Sequence, residues 1–208
     1  MPRISVRAFA EMLRLPAYEQ LRILYEQKYP QQQPQSFKIP YYQPALRGMR
    51  AYYGSGNNVA ELTAARAAAR ALALASRARH NLRAINAFAG SRQARRTLSI
   101  QPQPNVVVQA APNVELRLQF DIYALESDNP KRLFYNFRNV PIDPSIAKTT
   151  LEIAHWVLEQ NGTPAPYSAL EYIDLESGDA YRINRTAART TRLISANARI
   201  ISTLWPTI

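Results

Sequence analysis

Val114-Glu115-Leu116-Arg117-Leu118-Gln119-Phe120-Asp121-Ile122-Tyr123 decides the fold. Val114, Leu116, Leu118, Phe120 and Ile122 alternate with polar or amphipathic neighbours. That period of two predicts one strand over 114–123 with a single apolar face. Ser127-Asp128-Asn129-Pro130 reads as a turn, and Arg132 to Asn139 as the strand returning from it. Asp143-Pro144 supplies a cap and a first-turn proline, so a crossover helix is expected from there to Asn161-Gly162. Leu170 to Leu175 and Ala180 to Ile183 flank Glu176-Ser177-Gly178-Asp179, the signature of another hairpin.

Helices are expected on both sides of this β-rich stretch. Ser5 caps one that Pro16 ends near Leu15, and a second covers about Ala17 to Lys28. Tyr29 to Pro40 is a Pro/Gln-rich linker. A long Ala-rich helix is predicted over 59–89, stopped by Gly90. A closing helix runs from about Arg185 to Leu204, before Pro206. The chain is therefore read as α+β (mixed α/β): a small central sheet with hairpins, flanked by helices, behind a helical N-terminal region. Residues 1–95 form the basic helical region. Residues 96–208 form the β-rich core with its crossover and C-terminal helices, and helix 59–89 packs onto that core as one compact unit.

Charge is the strongest compositional signal. The 208 residues carry 26 Lys+Arg against 15 Asp+Glu, a formal net charge of +11. Of the 26, 22 are Arg and 4 are Lys, and the excess lies entirely in the first hundred residues. Guanidinium groups favour planar, bidentate contacts to phosphate and stacking on bases. An anionic partner, nucleic acid foremost, is the expectation; an acidic protein or a compositional bias toward Arg and Ala gives the same count. Cysteine is absent, so disulfides and thiolate metal sites are excluded. No apolar run is long enough to span a bilayer, and the arginines near the N-terminus break any signal-peptide core. A cytoplasmic protein without a membrane partner is expected.

The run from about Asn113 to Ile183 resembles the core of the PD-(D/E)XK nucleases, particularly the RecB-like branch. Phe120-Asp121-Ile122-Tyr123 stands where that family has its metal-binding Asp. Tyr135-Asn136-Phe137-Arg138 stands where it has the acidic-X-Lys strand. Leu151 to Gln160 matches the helix that follows, and Tyr172-Ile173-Asp174-Leu175 with Ser177-Gly178 matches the next hairpin. The resemblance implies a nuclease-type fold holding Mg²⁺ at Asp121. The motif is degenerate: Asn136 is neutral where an acid is expected, and Arg138 cannot give up its proton. A vestigial site formed by Asp121, Asn136 and Arg138 follows, with Arg138 reaching a phosphate or Asp121. Asp121 is also read simply as a polar residue on a half-solvated sheet. An active metal-dependent nuclease would need a further acid, Glu61 or Glu115 being options. Without that, no cofactor is expected.

His80 and His155 each stand alone on a predicted helix, without zinc or catalytic spacing. Glu171 and Asp174 have odd spacing on one strand, so they face opposite sides. The candidate binding surface interleaves Tyr41, Tyr42, Arg47, Arg50, Tyr52 and Tyr53, aromatic groups for bases and guanidiniums for phosphates. The same tyrosines equally fit a position packed under the long helix. Stripes at Arg66, Arg70 and Arg77 and at Arg185, Arg189, Arg192 and Arg199 are read as phosphate contacts or as solvated helix faces. The expected role is a nucleic-acid-binding accessory protein within a larger complex; the alternatives are an active nuclease and a structural subunit docked on an acidic protein.

Overall fold

The computed structural model describes residues 1–29 and 41–208, so most of the Pro/Gln-rich linker lies outside the described residues. The fold is α+β, with two sheets in place of the single one expected. The stretch 114–123 is divided between them. Val114–Leu118 (β4) belongs to a three-stranded sheet, and Ile122–Glu126 (β5) to a five-stranded one. Gln119, Phe120 and Asp121 carry the chain across. Alternation survives the break because Phe120 is buried like its neighbours, so periodicity alone does not reveal it.

The smaller sheet has the order β1-β4-β3. Arg3–Ser5 (β1) runs parallel to β4, and Val106–Ala111 (β3) pairs antiparallel to it. The larger sheet runs β2-β5-β6-β7-β8: Ser99–Ile100, β5, Asn129–Asn136, Leu170–Asp174 and Ala180–Tyr181. The β5–β6 hairpin turns through Ser127 and Asp128, both at positive φ, as a two-residue turn of the primed type demands. β6 and β7 are parallel, which requires a crossover. Pro144–Gln160 (α6) supplies it, with Asp143 accepting from the Ser145 N–H at its start.

Two apolar cores lie on opposite faces of the larger sheet. On one face Leu133, Tyr135 and Ile173 meet Gln43–Gly54 (α3), Val59–Arg70 (α4) and Ala75–Gly90 (α5). On the other, Phe134, Leu170 and Tyr172 join Val6–Met12 (α1), α6, Ala188–Leu204 (α7) and the smaller sheet. Ala17–Lys28 (α2) contributes Leu24 to this second core. The first 95 residues are thus shared between both faces.

The predicted helix over 59–89 is two helices, α4 and α5, separated by Ala71-Leu72-Ala73-Leu74. No Gly or Pro marks the break. A straight helix of that length would extend about 45 Å, far past the sheet it must cover. Folding back lets α4 bury Leu62, Ala65 and Ala69 against α3 while α5 buries Ala84, Ile85 and Phe88. Gly48 permits this closeness: a β-carbon there would sit 2.3 Å from the Ala65 Cβ. Asn81, fully buried on α5, accepts from the Ala45 N–H in the first turn of α3 and donates to the Tyr41 carbonyl.

Candidate nucleic-acid interface

The end of the larger sheet opens into a cleft of about 400 Å³ between α1, α3 and the crossing segment 119–121. Arg7, Arg47, Arg50 and Arg117 line it, and among the described residues Asp121 is its only acidic side chain. Phe120, Phe134 and Phe137 add apolar surface, and Tyr41 and Tyr42 form part of a wall. Tyr42 stacks on Phe137 with ring centroids 5.4 Å apart, and the Tyr41 hydroxyl meets His80 Nδ1 at 2.9 Å.

Each element sets one guanidinium. Arg7 lies in the first turn of α1, which Ser5 caps by accepting from the Ala8 N–H. Its guanidinium donates to Asp121 and lies over the Phe134 ring, 4.7 Å from the centroid. Burial pulls its pKa down, but Asp121, with Tyr172 and Glu11, more than offsets this and leaves it above the ordinary value. Arg50 donates from Nε to the Asp121 carbonyl at 2.8 Å and from Nη2 to Gln103 Oε1 at 2.9 Å. Burial lowers its pKa, with Asp121 opposing. Arg47 and Arg117 are exposed at the mouth, with no hydrogen-bond or ion-pair partner among the described residues. The cleft therefore presents two free cations, two anchored ones and one neutralised acid.

Asp121, Asn136 and Arg138 do not converge. The Asp121 carboxylate accepts from the Tyr135 N–H at 2.7 Å and from Arg7. Asn136 is buried and works on the connecting loops: its amide donates to the Val140 carbonyl and to Asp174, and its oxygen accepts from the Arg138 N–H. The expected pairing of Arg138 with Asp121 is replaced by one with Glu11 at 3.0 Å. The reason is that β6 ends at Asn136, so strand parity no longer aims residue 138. Arg7, from a distant helix, takes the place at Asp121. A cation entering there must displace a guanidinium. Glu115 pairs with Arg3, and Glu61 lies on α4, so neither joins Asp121. Among the described residues no group of three or more His, Cys, Asp or Glu side chains is arranged to hold a metal.

Tyr52 and Tyr53 are corrected from binding residues to core residues. They are 7 % and 2 % exposed, and their hydroxyls donate to the carbonyls of Ala94 and Gln93. On α3 they point away from Arg47, toward Phe88. The stripe at 66, 70 and 77 is dispersed: Arg66 donates to Asn86, Arg77 donates to the Tyr41 carbonyl, and Arg70 is exposed. Arg185 precedes α7, while Arg189, Arg192 and Arg199 are exposed on it, without partners among the described residues. Arg7 and Arg117 were missed by sequence reasoning. Each stands singly among apolar residues, and only the parallel pairing of Ser5 with Arg117 brings them together.

The second charged cluster is closed. Glu171, 0 % exposed, receives Arg96 at 2.8 Å, Lys131 at 3.3 Å and Arg182 at 3.2 Å, and Arg96 also holds Glu126. The hydrogen bond from Arg96 holds the Glu126 carboxyl below its usual range. Glu171 and Asp174 face opposite sides, as their spacing requires. Among the described residues no helix is long and apolar enough to cross a membrane. Comparison with family models, with curated proteins and with solved structures gives no match to this chain.

Proposed function

We propose that this chain binds nucleic acid through electrostatic and stacking contacts at the cleft beside Asp121. The single observation that carries the reading is the cleft's composition: four guanidiniums against one carboxylate that is already paired, with Tyr41 and Tyr42 at hand. Arg47 and Arg117 contact phosphate, Arg50 holds the wall in place, and the tyrosines offer faces to bases. The order α5-β2-β5-β6-α6-β7 around one sheet supports descent from a nuclease-like fold of the PD-(D/E)XK type. Arg7 on Asp121 supports a non-catalytic use of it, because the guanidinium holds the carboxylate that Mg²⁺ would need.

Binding of a labelled oligonucleotide, followed by fluorescence anisotropy across a salt series, tests this. Affinity falls steeply with salt, and Arg47→Gln with Arg117→Gln lowers the log–log slope by about two, one per phosphate contact. Affinity indifferent to salt sinks the proposal. Mg²⁺-dependent cleavage that disappears in Asp121→Ala replaces it with an active nuclease.

A further inference from the structure

Outside the cleft, two helix surfaces each carry a group of exposed guanidiniums. One surface is the groove between the end of α4 and α5, about 790 Å³ in volume, where Arg70, Arg79 and Arg83 rise among alanines, Leu72, Leu82 and Asn86. Arg70 and Arg79 are exposed and have no partner among the described residues, and Arg83 is held by Glu176. The other is the outer face of α7, where Arg189, Arg192 and Arg199 alternate with Thr191, Ser195 and Ala196, and α7 contains no acid. The small side chains between those arginines leave room for a backbone of phosphates to approach closely.

These surfaces are held apart by the fold. The helices α4 and α5 pack into the core on one face of the five-stranded sheet. Helix α7 packs, through Ile194, Ala198 and Ile201, into the core on the other. With layers spaced about 10 Å, the two sets of free guanidiniums are on the order of 30 Å apart. A straight duplex lying on one does not reach the other.

We infer that one molecule bridges two separate nucleic-acid segments, one on the α4–α5 groove and one on α7. This rests on the nucleic-acid reading proposed above and adds a valence of two to it. The sheet and its two cores act as a rigid spacer. Each surface binds phosphate backbone without reading sequence, because guanidiniums among Ala and Leu in the groove, and among Ala, Ser and Thr on α7, supply charge and few base-specific groups.

The test uses the full chain with two 30-base-pair duplexes, one fixed to beads and one fluorescent and free. The fluorescent duplex is retained on the beads only when both are held at once. Two variants separate the surfaces, Arg189→Gln with Arg192→Gln and Arg199→Gln, and Arg70→Gln with Arg79→Gln, each made in a chain whose cleft arginines are already replaced (Arg47→Gln, Arg117→Gln) so that the cleft supplies no second hold. All of these residues are exposed, and circular dichroism checks that each variant is folded. The expected result is retention with the native chain and with the Arg47→Gln, Arg117→Gln chain, and at least a tenfold loss of retention in either variant. Both variants still bind a single fluorescent duplex by anisotropy, with affinity weakened less than tenfold relative to the Arg47→Gln, Arg117→Gln chain. A native chain that binds single duplexes without retaining the second overturns the bridging inference and leaves the nucleic-acid reading standing. Retention that persists in either variant also overturns it, since a self-associating chain presenting one surface twice gives that result. Absence of any binding to a single duplex overturns both.

Discussion

Two carboxylates, Glu171 and Asp121, meet arginines at the two faces of the same sheet, and they serve different ends. Glu171 is sealed among Arg96, Lys131 and Arg182, with Glu126 completing the network. Its charge is matched from within, and the cluster ties β6, β7 and β8 to the turn after α5. Asp121 is also paired, through Arg7, but it opens into a cleft where Arg47 and Arg117 remain unmatched. An arginine beside a carboxylate does not by itself mark a site. We rest the proposal instead on surplus positive charge left unneutralised among the described residues, next to accessible aromatic rings.

The comparison breaks most visibly at Glu171. Glu171→Ala leaves three cations around a buried void and is expected to cost about 3–5 kcal/mol, read as a lower urea midpoint with an unchanged slope. Loss of less than about 1 kcal/mol would place this cluster with ordinary surface pairs. Alkaline pH comes next. Burial raises the Tyr172 hydroxyl to about 12, Arg7 opposing, and raises Tyr135 well above its usual value. An unfolded tyrosine ionises near 10, so the folded chain holds protons that the unfolded chain releases. Stability from these groups is complete below about pH 10 and declines as pH rises toward 12, by about 2–3 kcal/mol for Tyr172 alone. Urea unfolding at pH 9, 10.5 and 11.5 reads this directly, and a flat profile contradicts it.

Smaller effects sharpen the contrast. Gly48→Ala puts a methyl group against Ala65 and is expected to destabilise by about 1–3 kcal/mol, although alanine is the better helix former; calorimetric melting that showed a gain would contradict the close approach of α3 and α4. Asp121→Asn removes the one negative charge from the cleft. It is expected to cost about 1–2 kcal/mol of stability while strengthening polyanion binding, opposite in sign to the loss a metal-holding carboxylate would show. Arg47→Ala is expected to change stability by less than about 0.5 kcal/mol and still weaken binding in the salt titration.

Much of the fold was legible because its signals are local. Ser5 and Asp143 cap helices where they stand, Gly162 follows the end of α6, and Ser127-Asp128 turns a hairpin. The α+β class follows from these together with the period-two strand pattern between them. The site was legible only in part. Arg47 and Arg50 stand close together beside Tyr41 and Tyr42 in sequence, and all four reach the cleft. Tyr52 and Tyr53 carry the same composition but lie on the other side of α3, a distinction that no count of aromatics and arginines contains. Arg7 and Arg117 reach the cleft through a parallel pairing between strands over a hundred residues apart.

The sequence alone determined the excess of guanidinium over carboxylate, the caps and turns, and the absence of thiol chemistry, since each depends on residue type and near neighbours. Tertiary structure decided where an Ala-rich helix folds back, where an alternating strand changes sheets and which arginine meets Asp121. Those outcomes depend on burial against distant segments, and the energy of that burial outweighs the local preference of the residues that yield to it.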